Sequence, residues 1–265
     1  MQAVRLSDTH LRIEQIADGV GLVHFNDYFG KGRSVDTEPQ AFLVNLETPG
    51  ALLKVHMHDV DQFQVATRGN GRIGAHDWQP VSVQYADAFT AYGPIVRGDL
   101  GLSFHTIRMA AGGGNWKMPE ARSLMVNGRP GRNVTARVDP TQPLPPPGAT
   151  TREYLVSPHD DGLAIAVLRL GPDARCDGLE PAGGQYLLVC AGALVQGDGE
   201  LPTESLLLVR AGEPAPRLEA GPQGALLLVM QFPRPSARKG SDPSTMGNRA
   251  GSYVSVANHI TPLNP

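Results

Sequence analysis

The chain is poor in cysteine, poor in charge and without any long apolar run, and each shortage excludes something. Cys176 and Cys190 are its two cysteines and no CxxC pair occurs, so neither a disulfide scaffold nor a thiolate metal cluster is expected. Charged residues make up 18% of the 265 and the formal charge is −3, which gives nucleic acid or an anionic membrane nothing to bind. No helix-turn-helix pattern or basic cluster argues otherwise. No stretch approaches the ~18–20 apolar residues of a membrane span. The opening "MQAVRLSDTHLRIEQIADGV" lacks the basic start and apolar centre of a secretion signal. A cytoplasmic protein is therefore expected, with a small molecule and a second copy of the chain, as a homodimer, for partners.

Turn formers, by contrast, are abundant: 31 glycines and 23 prolines. They punctuate short runs rich in β-branched, leucine and aromatic residues at 41–46, 51–58, 62–67, 81–85 and 101–109. The second half repeats the manner at 163–170, 185–191, 205–211 and 225–232. This pattern predicts an all-β chain. The halves also share a register. "QFQVATRG" from Gln62 aligns with "QYLLVCAG" from Gln185, an offset of 123 (185 minus 62). The same offset joins Pro49 to Pro172, Ala51 to Ala174, Gly69 to Gly192, Gly74 to Gly197, Gly98 to Gly221 and Gly101 to Gly224. These are mostly turn positions, where backbone geometry restricts the residue. Two copies of one β domain are expected: residues 1–138, a stiff proline-rich linker at 139–151, a second domain at 152–233 and an irregular tail at 234–265. A short helix is expected within 115–126 and a small strand at 253–256.

The chemistry concentrates in "KVHMHDVDQFQVATRGNG", Lys54 to Gly71. Side chains alternate along a strand, so His56 and His58 project to the same side, ~6–7 Å apart. Two imidazoles so placed can share a metal ion. Gln62 follows across the turn and returns toward the pair.

"HMHDVDQFQVATRG" resembles the first motif of the cupin superfamily, HxHxxxE followed by a glycine, with Gln62 in the glutamate's place. "YADAFTAYGPIVRG" (85–98) resembles a degenerate second motif, with Ile95, Val96 and Arg97 where the family's last histidine ligand belongs. With the internal repeat, the resemblance implies a bicupin: two tandem antiparallel β-barrels of jelly-roll type. It also implies a divalent metal ion (Fe, Zn, Mn or Ni) held by His56, His58, Gln62 and, if it faces inward, His105. Asp61 is an alternative carboxylate and His24 a more distant imidazole, while His76 is expected in solvent at a hairpin. Tyr92, Arg97 and Gln64 are expected to bind substrate, with Tyr85 and Arg68 as further candidates at the mouth. In the second copy Leu179 and Pro181 stand opposite the two histidines and Leu228 opposite His105, so no metal site is expected there. Cys190, inside "LLVCAG", reads as a packed apolar position.

The resemblance implies a metal-dependent enzyme acting on a small organic molecule, with dioxygenase-like oxidoreductase chemistry the common outcome in the family. A His/His/Gln shell leaves the ion's charge undiminished, which favours Lewis-acid isomerase or lyase chemistry on a sugar- or keto-acid-like substrate. A non-catalytic binding or storage protein with a vestigial site is the alternative from another class.

Overall fold

The computed structural model describes residues 1–30, 39–112, 114–124, 131–197, 199–235, 253–256 and 259–262. The chain forms two compact units, one of Met1–Thr9 with Ala136–Arg234 and the other of His10–Thr135 with Pro235–Pro265.

Strand β1 (Gln2–Val4) belongs to the first of these. The N-terminal barrel follows with β2 (His10–Ile16), β3 (Gly21–Phe29), β4 (Gln40–Leu46), β5 (Leu52–Leu53), β6 (His56–Met57) and β7 (Gln62–Ile73). It continues with β8 (His76–Trp78), β9 (Ser82–Ala86), β10 (Ile95–Arg108), β11 (Trp116–Lys117) and β12 (Asn133–Arg137). Its main sheet runs β12-β9-β7-β10-β4-β3-β2, with β5 on β10 and β8 on β7; β6 and β11 pair separately. The C-terminal barrel contains β13 (Thr150–Val156), β14 (Ala164–Leu170), β15 (Arg175–Asp177), β16 (Gln185–Gln196), β17 (Gly199–Pro202), β18 (Leu206–Val209) and β19 (Arg217–Gln231). Its order is β1-β18-β16-β19-β14-β13, with β15 on β19 and β17 on β16. Two strands of the tail, β20 (Tyr253–Val256) and β21 (His259–Pro262), pair with each other; the rest of the tail beyond residue 235 lies outside the described residues. The architecture is all-β and antiparallel, as the sequence pattern predicts.

The internal repeat extends to individual hydrogen bonds. Ala51 N donates to Thr48 O and Arg97 N to Ala51 O; 123 residues on, Ala174 N donates to Gly171 O and Ala220 N to Ala174 O. The cross-strand pairs Gln64↔Gln84 and Gly71↔Trp78 recur as Leu187↔Leu207 and Leu194↔Leu201. One glycine shows why the register survives without similar side chains. Gly69 has φ +73° and a Cβ there would lie 2.1 Å from Gly101 O; Gly192 has φ +68° and its Cβ would lie 2.0 Å from Gly224 O. Both barrels need the same close crossing of two long bulged strands, and no other residue permits it.

Several boundaries differ from expectation. Met1–Thr9 belongs with the C-terminal unit because β1 extends the edge of that sheet beside β18. The proline-rich stretch is not a free spacer: Gly148 N donates to Pro172 O, Gly171 N to Ala149 O, and Arg169 Nη2 to Asp139 O at 3.2 Å. The run at 51–58 is broken at Lys54–Val55 into β5 and β6. The helix expected at 115–126 is a five-residue 3-10 stretch, Glu120–Leu124, preceded by β11.

The N-terminal barrel's sheet buries both faces, and this decides the place of His105. On β10, Leu102, Phe104, Thr106 and Arg108 alternate with Ser103, His105 and Ile107. Leu102 and Phe104 belong to the inner core with Phe25, Phe42, Val44, Ala66 and Trp78. His105 therefore lies on the opposite face, beside Leu43 and Val65, with its ring 5.3 Å from that of Tyr28. It is fully buried, and neither ring nitrogen has a hydrogen-bond partner among the described residues. His105 is not brought to the histidine pair, because strand alternation turns it away.

Two predictions follow from these packing facts. Gly69→Ala and Gly192→Ala should each lower stability by at least about 1–3 kcal/mol in urea denaturation. Gly50→Ala, with φ +72° but open space around its Cβ, should cost less. Burial, with a smaller contribution from Arg68, lowers the His105 pKa to about 3. Between about 3 and the ordinary value near 6.5, the unfolded chain binds the proton and the folded one does not, so stability falls as pH drops through that window. His105→Leu, which copies Leu228 of the sister barrel, should remove a penalty of roughly 2 kcal/mol at pH 5 and almost none at pH 8. Parallel pH dependences of the two proteins would contradict this.

Candidate functional site

The position of the HxH pair is set by Met57 between them. Met57 is fully buried in a small apolar cluster with Phe89, Trp116 and Ala121, and the rings of Phe89 and Trp116 stack 5.6 Å apart. Because Met57 is drawn to that side, His56 and His58 turn to the other. The backbone is pinned on both edges. His56 N donates to Tyr92 O at 3.0 Å and Tyr92 N to His56 O at 2.9 Å, while Trp116 pairs with Met57 and Lys117 with His56. Phe89 N donates to His58 O at 2.7 Å.

Each imidazole is held through Nδ1. His56 Nδ1 donates to Lys54 O at 2.7 Å, and His58 Nδ1 to Gly114 O. Both carbonyls require an N–H at Nδ1, leaving Nε2 with its lone pair. The ring centroids are 5.2 Å apart and the planes meet at 86°. Burial, partly offset by the Lys54 carbonyl, takes the His56 pKa down to about 4, and burial with Arg108 holds His58 well below its ordinary value. Both rings are therefore neutral and ready to ligate.

Around the pair lies a polar network. Gln62 Nε2 donates to the Tyr92 hydroxyl, and Gln62 Oε1 accepts from Arg108 Nε at 3.1 Å. Arg108 Nη1 donates to Gln40 Oε1 at 3.3 Å, and the same oxygen accepts from Gly112 N at 3.1 Å. Arg108 Nη2 lies 3.3 Å from His58 Nε2 and 3.2 Å from Nδ1. At nearly equal distances from both ring nitrogens, that Nη2 lies against the His58 ring rather than in line with either lone pair. The Tyr92 ring lies 4.6 Å from that of His56. Burial lowers the Arg108 pKa, opposed by Tyr92 and Asp59, and burial raises that of Tyr92. Arginine stays charged under such shifts and the phenol stays protonated.

The structure thus brings together His56, His58, Gln62 and Tyr92. Gln64, two residues along the same inner face, is buried with Oε1 unpartnered. Arg97 is elsewhere: its Nε donates to Leu46 O at 2.8 Å and its Nη1 to Gly98 O at 2.9 Å. These bonds clamp strand ends. Asp61 is engaged by Ala88 N at 2.8 Å, and Tyr85 donates to Asp87 at 2.8 Å, beside the Asp87–Arg132 ion pair. His24 lies 3.5 Å from Glu47, and His76 is exposed on β8. Arg108 and Gln40 are members that the motifs do not mark. The available signal was parity, since Arg108 is in phase with Phe104 and Thr106, which makes it a cation inside the barrel.

Among the described residues no three His, Cys, Asp or Glu side chains gather as a metal site. The two imidazoles nevertheless fit a cation. They are neutral, anchored at Nδ1 and near-perpendicular with centroids 5.2 Å apart, and each keeps an Nε2 lone pair for a ligand. Gln62 adds a neutral amide. Among the described residues the sister barrel pairs no two imidazoles: its core is mainly aliphatic, Gln185 Nε2 donates to Leu179 O, and Gln231, the counterpart of Arg108, donates to Gly162 O.

No protein-family model matches the sequence, and no curated protein matches it either. Solved structures do. A candidate dioxygenase from Nostoc punctiforme is similar over 100% of this chain and 87% of its own, with TM-score 0.57 and 12% identity. Oxalate decarboxylase from Bacillus subtilis is similar over 88% and 76%, with TM-score 0.58 and 13% identity. A bacterial pirin from Escherichia coli, in complex with nickel(II), is similar over 88% and 99%, with TM-score 0.55 and 14% identity. At such identities the likeness is one of fold. The shared feature is the architecture, two antiparallel β-barrels related by one internal repeat, which is the fold that the resemblance of the sequence to the bicupins implies.

Proposed function

We propose that the chain is a metal-dependent enzyme acting on a small organic molecule inside the N-terminal barrel, with Lewis-acid isomerase or lyase chemistry on a keto-acid- or sugar-like substrate. The observation that carries this reading is the pair of buried, neutral imidazoles anchored at Nδ1 by backbone carbonyls. That proteins of the same fold include an oxalate decarboxylase and a nickel-bound pirin supports a divalent ion in such a barrel. His56 and His58 hold the ion, and Gln62 is its amide neighbour. A divalent ion of the Fe, Zn, Mn or Ni class, when bound there, polarises a carbonyl or hydroxyl oxygen.

The chain's own groups do the rest. Tyr92, protonated and held by Gln62, is placed to give a proton or a hydrogen bond to a substrate oxygen. Arg108 supplies fixed positive charge, oriented by Gln62 and Gln40 so that it need not reorganise as negative charge develops. The cluster of Met57, Phe89 and Trp116 closes the side behind the histidines against water.

Dioxygenase chemistry is the other reading, supported by the fold of the Nostoc protein. It requires either a third imidazole or a carboxylate beside the pair. His105 faces away and Asp61 is engaged elsewhere, which favours the Lewis-acid reading.

Elemental analysis of freshly purified protein tests the proposal. Wild type should carry a stoichiometric divalent metal, and His56→Ala should lose it together with all turnover. The loss of affinity should exceed the roughly 10–100-fold that removal of a mere supporting hydrogen bond causes. Tyr92→Phe should keep the metal and reduce kcat by roughly 10²–10⁴-fold. Metal-free wild type, or metal retained in full by His56→Ala, would contradict the reading.

A further inference from the structure

Arg108 poses a problem for any cation at this site. Its Nη2 lies 3.3 Å from Nε2 and 3.2 Å from Nδ1 of His58, against the ring that would ligate the ion, and its Nε holds the Oε1 of Gln62. The donors His56, His58 and Gln62 bring no negative charge. Asp59, buried close by, acts on Arg108 and offsets that guanidinium, not a further two charges. Lys117, which acts on His56, is ion-paired with Asp18. Asp61, the other carboxylate nearby in sequence, is bound at Ala88 N. A divalent ion seated between the imidazoles would thus sit beside a fixed guanidinium in a buried site, where charges interact far more strongly than in water.

Resting on the metal-site reading above, we propose that the site binds its divalent ion and a carboxylate-bearing ligand as a coupled pair, with Arg108 enforcing the coupling. An anion placed against the ion and Arg108 supplies the negative charge the protein's donors omit. A guanidinium suits that role, because its planar fork matches a carboxylate. Without the anion, Arg108 repels the ion from its place against the His58 ring. With it, Arg108 becomes a binding contact. Coupling of two ligands is reciprocal, so the ion must raise anion affinity by the same factor. Substrates of this barrel are therefore small organic acids rather than neutral sugars.

The sister barrel supplies the variant. Gln231 occupies the position of Arg108 at the repeat offset and is accommodated on β19, so Arg108→Gln introduces a residue that this strand position already carries elsewhere in the chain. Nickel(II) affinity of apoprotein is measured by titration calorimetry in chloride and in acetate buffers of equal ionic strength. Acetate is chosen because it binds free nickel weakly. For wild type, acetate should tighten nickel binding by roughly 5–150-fold. Arg108→Gln should bind nickel more tightly than wild type in chloride and show little acetate effect. Arg108→Lys, which keeps the charge without the fork, should retain the weak binding in chloride and lose most of the acetate effect. It provides a second arm if Arg108→Gln fails to fold. Nickel bound by wild type equally in both buffers overturns the coupling and leaves the metal site standing. So does an acetate effect undiminished in the folded variants. Absence of nickel binding in either buffer overturns both.

Discussion

The site depends on two backbone carbonyls. Those of Lys54 and Gly114 accept from Nδ1 of His56 and His58, and so determine which nitrogen of each ring is left to react. Burial then keeps the rings neutral, since a proton on either would be withheld from water and set beside the Arg108 guanidinium. Met57 supplies the mechanical half of the arrangement by anchoring the strand from behind. Tautomer, charge state and direction are thus decided by groups that never meet a ligand, and this is what preorganisation consists of here.

The two barrels act as an internal control on the chemistry. They share strand order, hydrogen-bond register and the glycines at the strand crossings, yet their interiors diverge. Gln64, Gln84, Thr106 and Arg108 of the first correspond to Leu187, Leu207, Val229 and Gln231 of the second. Backbone geometry is therefore common to both, while the inner face is far more polar in the first. In the second barrel the buried amides Gln185 and Gln231 donate to backbone carbonyls within an otherwise aliphatic interior. The polar one carries a buried arginine and several amides that are stable only as a connected network.

Much of this was legible in the sequence. The repeat could be read because Gly69 and Gly192 are required by a backbone conformation that side chains do not alter. The histidine pair could be read because period-two alternation is local. His105 could not be placed by the same means. Whether a strand residue faces in or out depends on the phase of its neighbours, and β10 carries bulges that shift that phase. Arg108 was overlooked for a related reason, since a cation at a strand end usually reaches solvent. Arg97 lies where the family's motif would put a ligand, but the hydrogen bonds it gives to Leu46 and Gly98 follow from tertiary contacts that no motif encodes. The first nine residues could not be assigned to the distant barrel from sequence, because β1 is a three-residue strand whose partner lies some two hundred residues away.

X-ray absorption spectroscopy at the nickel edge of the loaded protein addresses the central claim most directly. The account predicts a first shell of nitrogen and oxygen with the outer-shell scattering of two imidazoles and no sulfur. That imidazole signal should halve in His58→Ala. A spectrum without imidazole scattering, or one unchanged by that substitution, would show that the ion is not held by His56 and His58 and would contradict the account.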